Sequence, residues 1–215
     1  MVYLYRWLSC HLPRTRFIRN VPGITYLDFG CGDGTVLKQN KAIRPDLSSF
    51  GVDIQNFGKS MPADTGFCVF DGLRLPFPAN FFEIITLNHV LEHIPNPDPV
   101  FGELKRVMKT GAQIYIETPN HRSLRPRKSK LFAGTIEFFD DPTHLKPFST
   151  QELIEAGTRN GFRVVDSGIV RNLLHLLLAP LLFLGGVLFP SQLWYMYARN
   201  SLLGWSSYVV LEKEK

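Results

Sequence analysis

Short apolar runs alternate with longer stretches of helical period along most of this chain. Residues 24–29, 50–54, 66–70, 82–87 and 113–117 are such runs, and each predicts a buried strand. Residues 35–43 predict a helix that stops before Pro45. Residues 99–108 predict another, with Val100, Leu104, Val107 and Met108 at helical spacing and Gly111 as its terminator. A helix-like start over 90–94 is cut short by Pro95. Residues 150–160 predict a helix with Gly161 just past its end, and two further strands fall over 162–165 and 205–212. Strands alternating with helices imply βαβ units, hence an α/β, doubly wound, mostly parallel sheet with helices on both faces. Right-handed crossovers place all strand C-termini on one edge, where ligands bind. Asp28 with Gly30, Asp53, Asp71, Asn88 and Glu117 all fall at or just beyond predicted strand ends.

Composition narrows the class without naming a function. With 215 residues and 45% hydrophobic content, one globular domain over 1–215 is expected. Cys10, Cys31 and Cys68 are odd in number and form no CxxC pair, which argues against a disulfide framework and for reduced thiols in a cytoplasmic setting. The net charge of +5 is concentrated. Arg6, Arg14, Arg16 and Arg19 precede the first strand, and Arg122, Arg125, Arg127, Lys128 and Lys130 form a second cluster. Such patches suit phosphate-bearing partners, and they equally suit solvated loops. Residues 1–22 form a predicted helical extension; Arg6 interrupts the apolar stretch a signal peptide would need.

The chemistry concentrates in the turn after the first strand. Gly30, Gly32 and Gly34 alternate along Asp28-Phe29-Gly30-Cys31-Gly32-Asp33-Gly34. Glycine there permits positive φ and lets a ligand touch the backbone, while the following helix offers unpaired N–H groups. The dinucleotide fingerprint GxGxxG would need a third glycine where Thr35 stands. Asp28 at the strand end disfavours a pyrophosphate and favours a cationic ligand, such as one with ammonium and sulfonium groups. Asp53 can accept ribose hydroxyls, and Asp71 an adenine amino group.

The motif set resembles the class I S-adenosylmethionine (SAM)-dependent methyltransferases, of the small-molecule, glycan and lipid type. Tyr26 to Gly34 resembles their first motif and Gly51-Val52-Asp53 their second. Asp71 to Phe77, then Phe81-Phe82-Glu83-Ile84-Ile85, resembles the third and fourth, with Glu83 where Asp is usual. Asn88 to Pro97 resembles the segment after strand four, and Glu103 to Lys109 the next helix, although Lys109-Thr110-Gly111-Ala112 departs from the usual Lys-Pro-Gly-Gly. Over about residues 24–170, the resemblance implies a Rossmann-like seven-stranded sheet with an antiparallel last strand, and SAM as cofactor. Asp28, Gly30, Cys31, Gly32, Gly34, Asp53, Ile54, Asp71, Gly72 and Asn88 are then the expected cofactor contacts.

The acceptor side is less specified. Methyl transfer needs chiefly an aligned acceptor, and a hydroxyl acceptor gains from a general base, for which histidine is suited. His89, His93 and His144 lie on segments expected at the active edge, with His144 the first candidate base. His144 could equally act by positioning its loop. His89, Glu92 and His93 would share one face if helical, and with His144 could make a four-ligand metal site. Ubiquinone-pathway and small-RNA 2′-O-methyltransferases look similar here but carry Glu where His89 stands, so no metal is expected.

Residues 172–200 form a predicted hydrophobic helical insertion before the last strand. No Asp, Glu, Lys or Arg occurs between Arg171 and Arg199, and Trp194, Tyr195 and Tyr197 add interfacial aromatics. A single crossing would separate two strands that the resemblance makes neighbours, so the segment must return to its starting side. A shallow docking element on the inner face of a membrane is expected, with an apolar lid or dimer surface as the alternative. The function expected is SAM-dependent O-methylation of a small or lipid- or glycan-linked acceptor at a membrane surface. The alternatives are an RNA methyltransferase, an NAD(P) dehydrogenase, and a catalytically silent membrane adaptor. Nucleic acid is disfavoured as a partner because no interleaved basic and aromatic surface is evident.

Overall fold

The computed structural model describes residues 12–70, 74–124, 138–172, 177–181, 184 and 204–214. Asp71 and Gly72, the basic residues 125–130, and most of the 172–200 insertion lie outside the described residues.

The element order is α1 (Leu12–Asn20), β1 (Thr25–Phe29), α2 (Thr35–Ile43), β2 (Ser48–Asp53), β3 (Thr65–Val69), β4 (Phe82–Asn88), α3 (Asp98–Val107), β5 (Met108–Pro119), α4 (Thr150–Arg159), β6 (Phe162–Ile169) and β7 (Ser206–Lys213). One seven-stranded sheet has the order β3-β2-β1-β4-β5-β7-β6. β1 pairs parallel with β2 and β4, and β4 pairs parallel with β5. β7 runs antiparallel between β5 and β6, as the expected fold class requires. The strand order reverses at β1/β4, so the crevice between their C-terminal ends is the place for a ligand.

Alternation along the strands separates two cores. Leu27, Phe29, Ile85, Leu87, Ile114 and Ile116 face one way and meet Phe101 and Leu104 of α3 and Leu153 of α4. Tyr26, Ile84 and Tyr115 face the other way and meet Phe17 and Ile18 of α1 and Leu37 of α2. The period of two along each strand produces this division. Two devices fix local geometry. Ser149 and Glu152 form a reciprocal capping box at the start of α4. The Glu83 carboxylate accepts from the backbone N–H of Ile24 and Thr25 and from Lys109, which holds its pKa down at about 2 and ties the entry of β1 to β4.

Two expectations need correction. Helix α3 stops at Val107, and Met108–Ala112 join β5 rather than ending the helix at Gly111. Gly111 has φ +78°, and its left-handed backbone lies inside the strand, not at a helix cap. The segment after β4 is one 3₁₀ turn, Leu91–His93. His89 lies outside it at φ +55°, so the predicted helical face carrying His89, Glu92 and His93 does not form.

Candidate functional site

The C-terminal edge at β1, β2 and β4 carries the glycine loop. Gly30, Gly32 and Gly34 have φ of +73°, +50° and +77°, values that glycine adopts without Cβ strain. Their surroundings differ. A Cβ at Gly30 would strike Val90, whereas at Gly32 it would meet nothing within 4 Å. Gly32 is therefore the loop position with room for a ligand against the backbone. The Cys31 side chain is buried, and a Cβ on Gly51 would strike its sulfur. Burial, with Asp28 and Asp53 nearby, pushes the Cys31 thiol up to about 12. Its backbone N–H is already donated to Val52, so the cysteine supports the loop from behind.

Asp28 is 1% exposed. A directed chain of hydrogen bonds reaches it: Asn40 donates to the Tyr26 hydroxyl (2.8 Å), which meets Thr86 (2.6 Å), and Thr86 donates to Asp28 Oδ1 (2.6 Å). Asp28 Oδ2 has no partner. Burial raises the Asp28 pKa to about 6, against the opposing hydrogen bond from Thr86 and the charge of Arg14. Arg14 on α1 is buried too, donating to Asn88 Oδ1 (3.3 Å) and Gln39 Oε1 (2.7 Å), while its Nε lacks a partner. In the sequence Arg14 belongs to a basic patch that suits either a phosphate-bearing partner or a solvated loop. The structure buries it beside Asp28, and only the tertiary docking of α1 reveals this.

Asp53 ends β2, with Oδ2 accepting from Gly32 N (2.9 Å) and Oδ1 from Gln55 N (3.0 Å). A carboxylate has further lone pairs for a diol. Ile54 beside it is 72% exposed, an aliphatic surface suited to a flat base. An unpartnered buried carboxylate oxygen, an unpartnered buried guanidinium nitrogen and an open glycine fit a ligand with ammonium, carboxylate and nucleoside ends. A pyrophosphate would meet Asp28 as a repulsive charge.

The candidate acceptor side gathers on the neighbouring segments. Val90 seats the residues after β4 against Gly30. His89 lies between two buried carboxylates, with Nδ1 3.2 Å from Glu92 and Nε2 3.7 Å from Glu117. Burial works to lower its pKa, but Glu117 and Glu92 outweigh this and push it up to about 10. The ring is still 39% exposed, and the upward direction follows from the two carboxylates rather than from the depth of burial. His93 and His144 come together with ring centroids 4.7 Å apart. Leu145 N donates to Glu92 O and Phe148 N to Pro119 O, which hold the His144 segment on the edge.

The methyltransferase-domain family model matches residues 8–167. Ajmaline N-methyltransferase of Rauvolfia serpentina is 31% identical over 116 residues, 49% of this chain and 39% of its own length. The ubiquinone biosynthesis O-methyltransferase of Paraburkholderia phytofirmans is 26% identical over 136 residues, 60% of this chain and 53% of its own. The chain thus spans about half or less of these relatives' lengths. The crystal structure of an S-adenosylmethionine-dependent methyltransferase from Mesorhizobium loti superposes with a TM-score of 0.68 at 14% identity, covering 95% of this chain and 98% of that one, and so shares the fold. Sheet order, glycine loop and family match agree: the chain belongs to the methyltransferase-domain family, the class I methyltransferases that take S-adenosylmethionine as methyl donor.

Proposed function

We propose that this protein transfers a methyl group from SAM to a hydroxyl of a small or lipid-linked acceptor. The observation that carries the reading is the convergence of His93, His144 and the buried Glu92 on segments packed against the cofactor loop. SAM supplies an activated methyl: an acceptor oxygen lone pair bonds the methyl carbon, the sulfur keeps the electron pair of the breaking C–S bond, and the acceptor proton leaves. This chain's residues bind and orient. Asp28 Oδ2 takes the ammonium and Arg14 Nε the carboxylate of the methionyl end, Asp53 accepts from the ribose hydroxyls, and Ile54 covers the base. His144 takes the acceptor proton at Nε2, because its Nδ1 donates to Phe138 O (2.5 Å).

The Asp28 reading has a pH consequence. An ammonium partner favours ionised Asp28, whose pKa without ligand is raised to about 6. SAM affinity should be greatest near pH 7, where Asp28 is ionised and the α-amino group still protonated, and fall by up to about tenfold per unit below 6. A calorimetric pH series tests this, and a flat profile down to pH 5 would remove Asp28 from the ammonium site.

Apolar exposure supports a lipid setting. Leu177, Leu181 and Leu184, in the described part of the predicted insertion, have helical backbone and are 79%, 64% and 53% exposed. Their spacing places them on one side of a helix. Phe139 and Leu145 are exposed on the His144 segment. No helix among the described residues is long and apolar enough to cross a membrane, which fits surface docking. The test is incubation of the full chain with methyl-labelled SAM and a membrane lipid extract. Label in a methyl ether of the organic phase is expected; label in a methyl ester, or on carbon or nitrogen alone, overturns the hydroxyl reading. In the same preparation the chain should float with anionic vesicles, and a chain left in the dense fraction sinks the docking reading.

A further inference from the structure

We propose that Arg122 and Arg171 form a binding site for the phosphate of a lipid-linked acceptor. The two arginines come from different strand ends. Arg122 follows β5, Arg171 follows β6, and Gly204 stands against both just before β7. A Cβ on Gly204 would lie 2.7 Å from Arg171 Nε and 3.1 Å from Arg122 Nη1. The two guanidinium groups are thus held within about 6 Å of each other, where like charges repel. Both residues are exposed, and Arg171 has no hydrogen bond or ion pair among the described residues. Hydrogen bonds of the surrounding backbone bring the pair together. Asn120 is the hub and is 4% exposed. Its amide nitrogen donates to Gly204 O (2.8 Å), and its side-chain oxygen accepts from Arg122 N (2.9 Å). Its backbone N–H donates to Trp205 O (2.9 Å), and Val170 N donates to Ser206 O (2.9 Å), which sets Arg171 beside the same turn. Gly204 has φ +60°, and a Cβ there would strike Ile169 Cγ2 at 2.4 Å. Glycine at this position lets the two guanidinium groups close over bare backbone.

An anion between two such groups turns their repulsion into attraction. The planar guanidinium also matches phosphate through paired N–H donors. The position suits an acceptor. Phe148 N donates to Pro119 O, next to Asn120, so the strand end that positions Arg122 also holds the segment of His144. Arg171 immediately precedes the apolar insertion, whose described residues Leu177, Leu181 and Leu184 are exposed. A phosphate joined to an apolar chain matches both features, whereas a free phosphate ester matches only the first. The inference rests on the acceptor reading above for its purpose. Contacts at the phosphate, away from the reacting hydroxyl, would align the acceptor for transfer.

The test measures flotation of the full chain with phosphatidylcholine vesicles that contain phosphatidic acid, with SAM binding followed by calorimetry on the same samples. Both arginines are exposed, so their variants should fold and keep SAM affinity within about twofold of wild type. The double variant Arg122→Gln/Arg171→Gln should bind the vesicles at least about tenfold more weakly than wild type. Arg122→Lys/Arg171→Lys keeps both charges but loses the forked donors, and should remain at least about threefold weaker. Equal flotation of wild type and the glutamine double variant, or full recovery in the lysine double variant, overturns the phosphate site. Glycerol 3-phosphate binding as tightly as the vesicles would assign a free phosphate ester and overturn the lipid source. Single-stranded RNA bound in place of the vesicles, and lost in the glutamine double variant, would overturn it in favour of nucleic acid. If the vesicles bind through the arginines and no methyl ether forms, the hydroxyl-transfer reading fails and the phosphate site stands.

Discussion

Replacing Gly32 by valine should abolish measurable SAM binding, a loss of at least about a hundredfold, while the protein stays folded. Two observations separate the effects. Gly32 has φ +50°, where a β-branched residue is strained by roughly 1–2 kcal/mol. A Cβ there meets no protein atom within 4 Å, so the new side chain enters the ligand's space instead of the core. Gly30 would behave differently, because its Cβ would strike Val90 at 2.4 Å and damage the fold as well. Calorimetry with a thermal melt checks the prediction: binding lost with a modest shift in Tm. Near-normal binding by Gly32→Val would place the cofactor elsewhere.

His144→Ala should slow turnover by about 10²–10⁴-fold and leave SAM affinity within about twofold. The ring stands on the edge beside Glu92 and contributes nothing to the Asp28–Arg14–Asp53 group. His144→Gln keeps a side chain able to bond Phe138 O but lacks a proton acceptor of imidazole strength. If His144 only positions its loop, the glutamine variant should recover most of the rate. If it takes the acceptor proton, the glutamine variant should remain slow. Comparison of kcat for the two variants decides between these roles.

Much of the candidate cofactor side was legible in the sequence because it is local. A strand, alternating glycines and a helix occupy one continuous stretch, and an acid at the end of β2 sits where the crossover brings it to the same edge. The reversed last strand was legible only through the family resemblance. What was hidden depends on tertiary contacts. Arg14 reads as one of several arginines in a basic stretch, and the docking of α1 on Tyr115 and Leu37 is what buries it at Asp28. The length of β5 was hidden because Lys109-Thr110-Gly111 has the composition of a helix end, while pairing with β4 and β7 recruits the strand. Spacing suggested one helical face for His89, Glu92 and His93. The positive φ at His89 turns that ring between Glu92 and Glu117 and leaves Glu92, His93 and His144 as the group that converges. Which nitrogen of each ring is free depends on Thr143 and Phe138, residues that carry no signal in a linear pattern.

The central claim is that the edge at Gly32, Asp28 and Asp53 is a site for S-adenosylmethionine and not for a dinucleotide. Calorimetric titration of the full chain with SAM and, separately, with NADH tests it most directly. One SAM site per chain is predicted, lost in Asp53→Ala, with no heat from NADH. Saturable NADH binding without SAM binding would contradict the account.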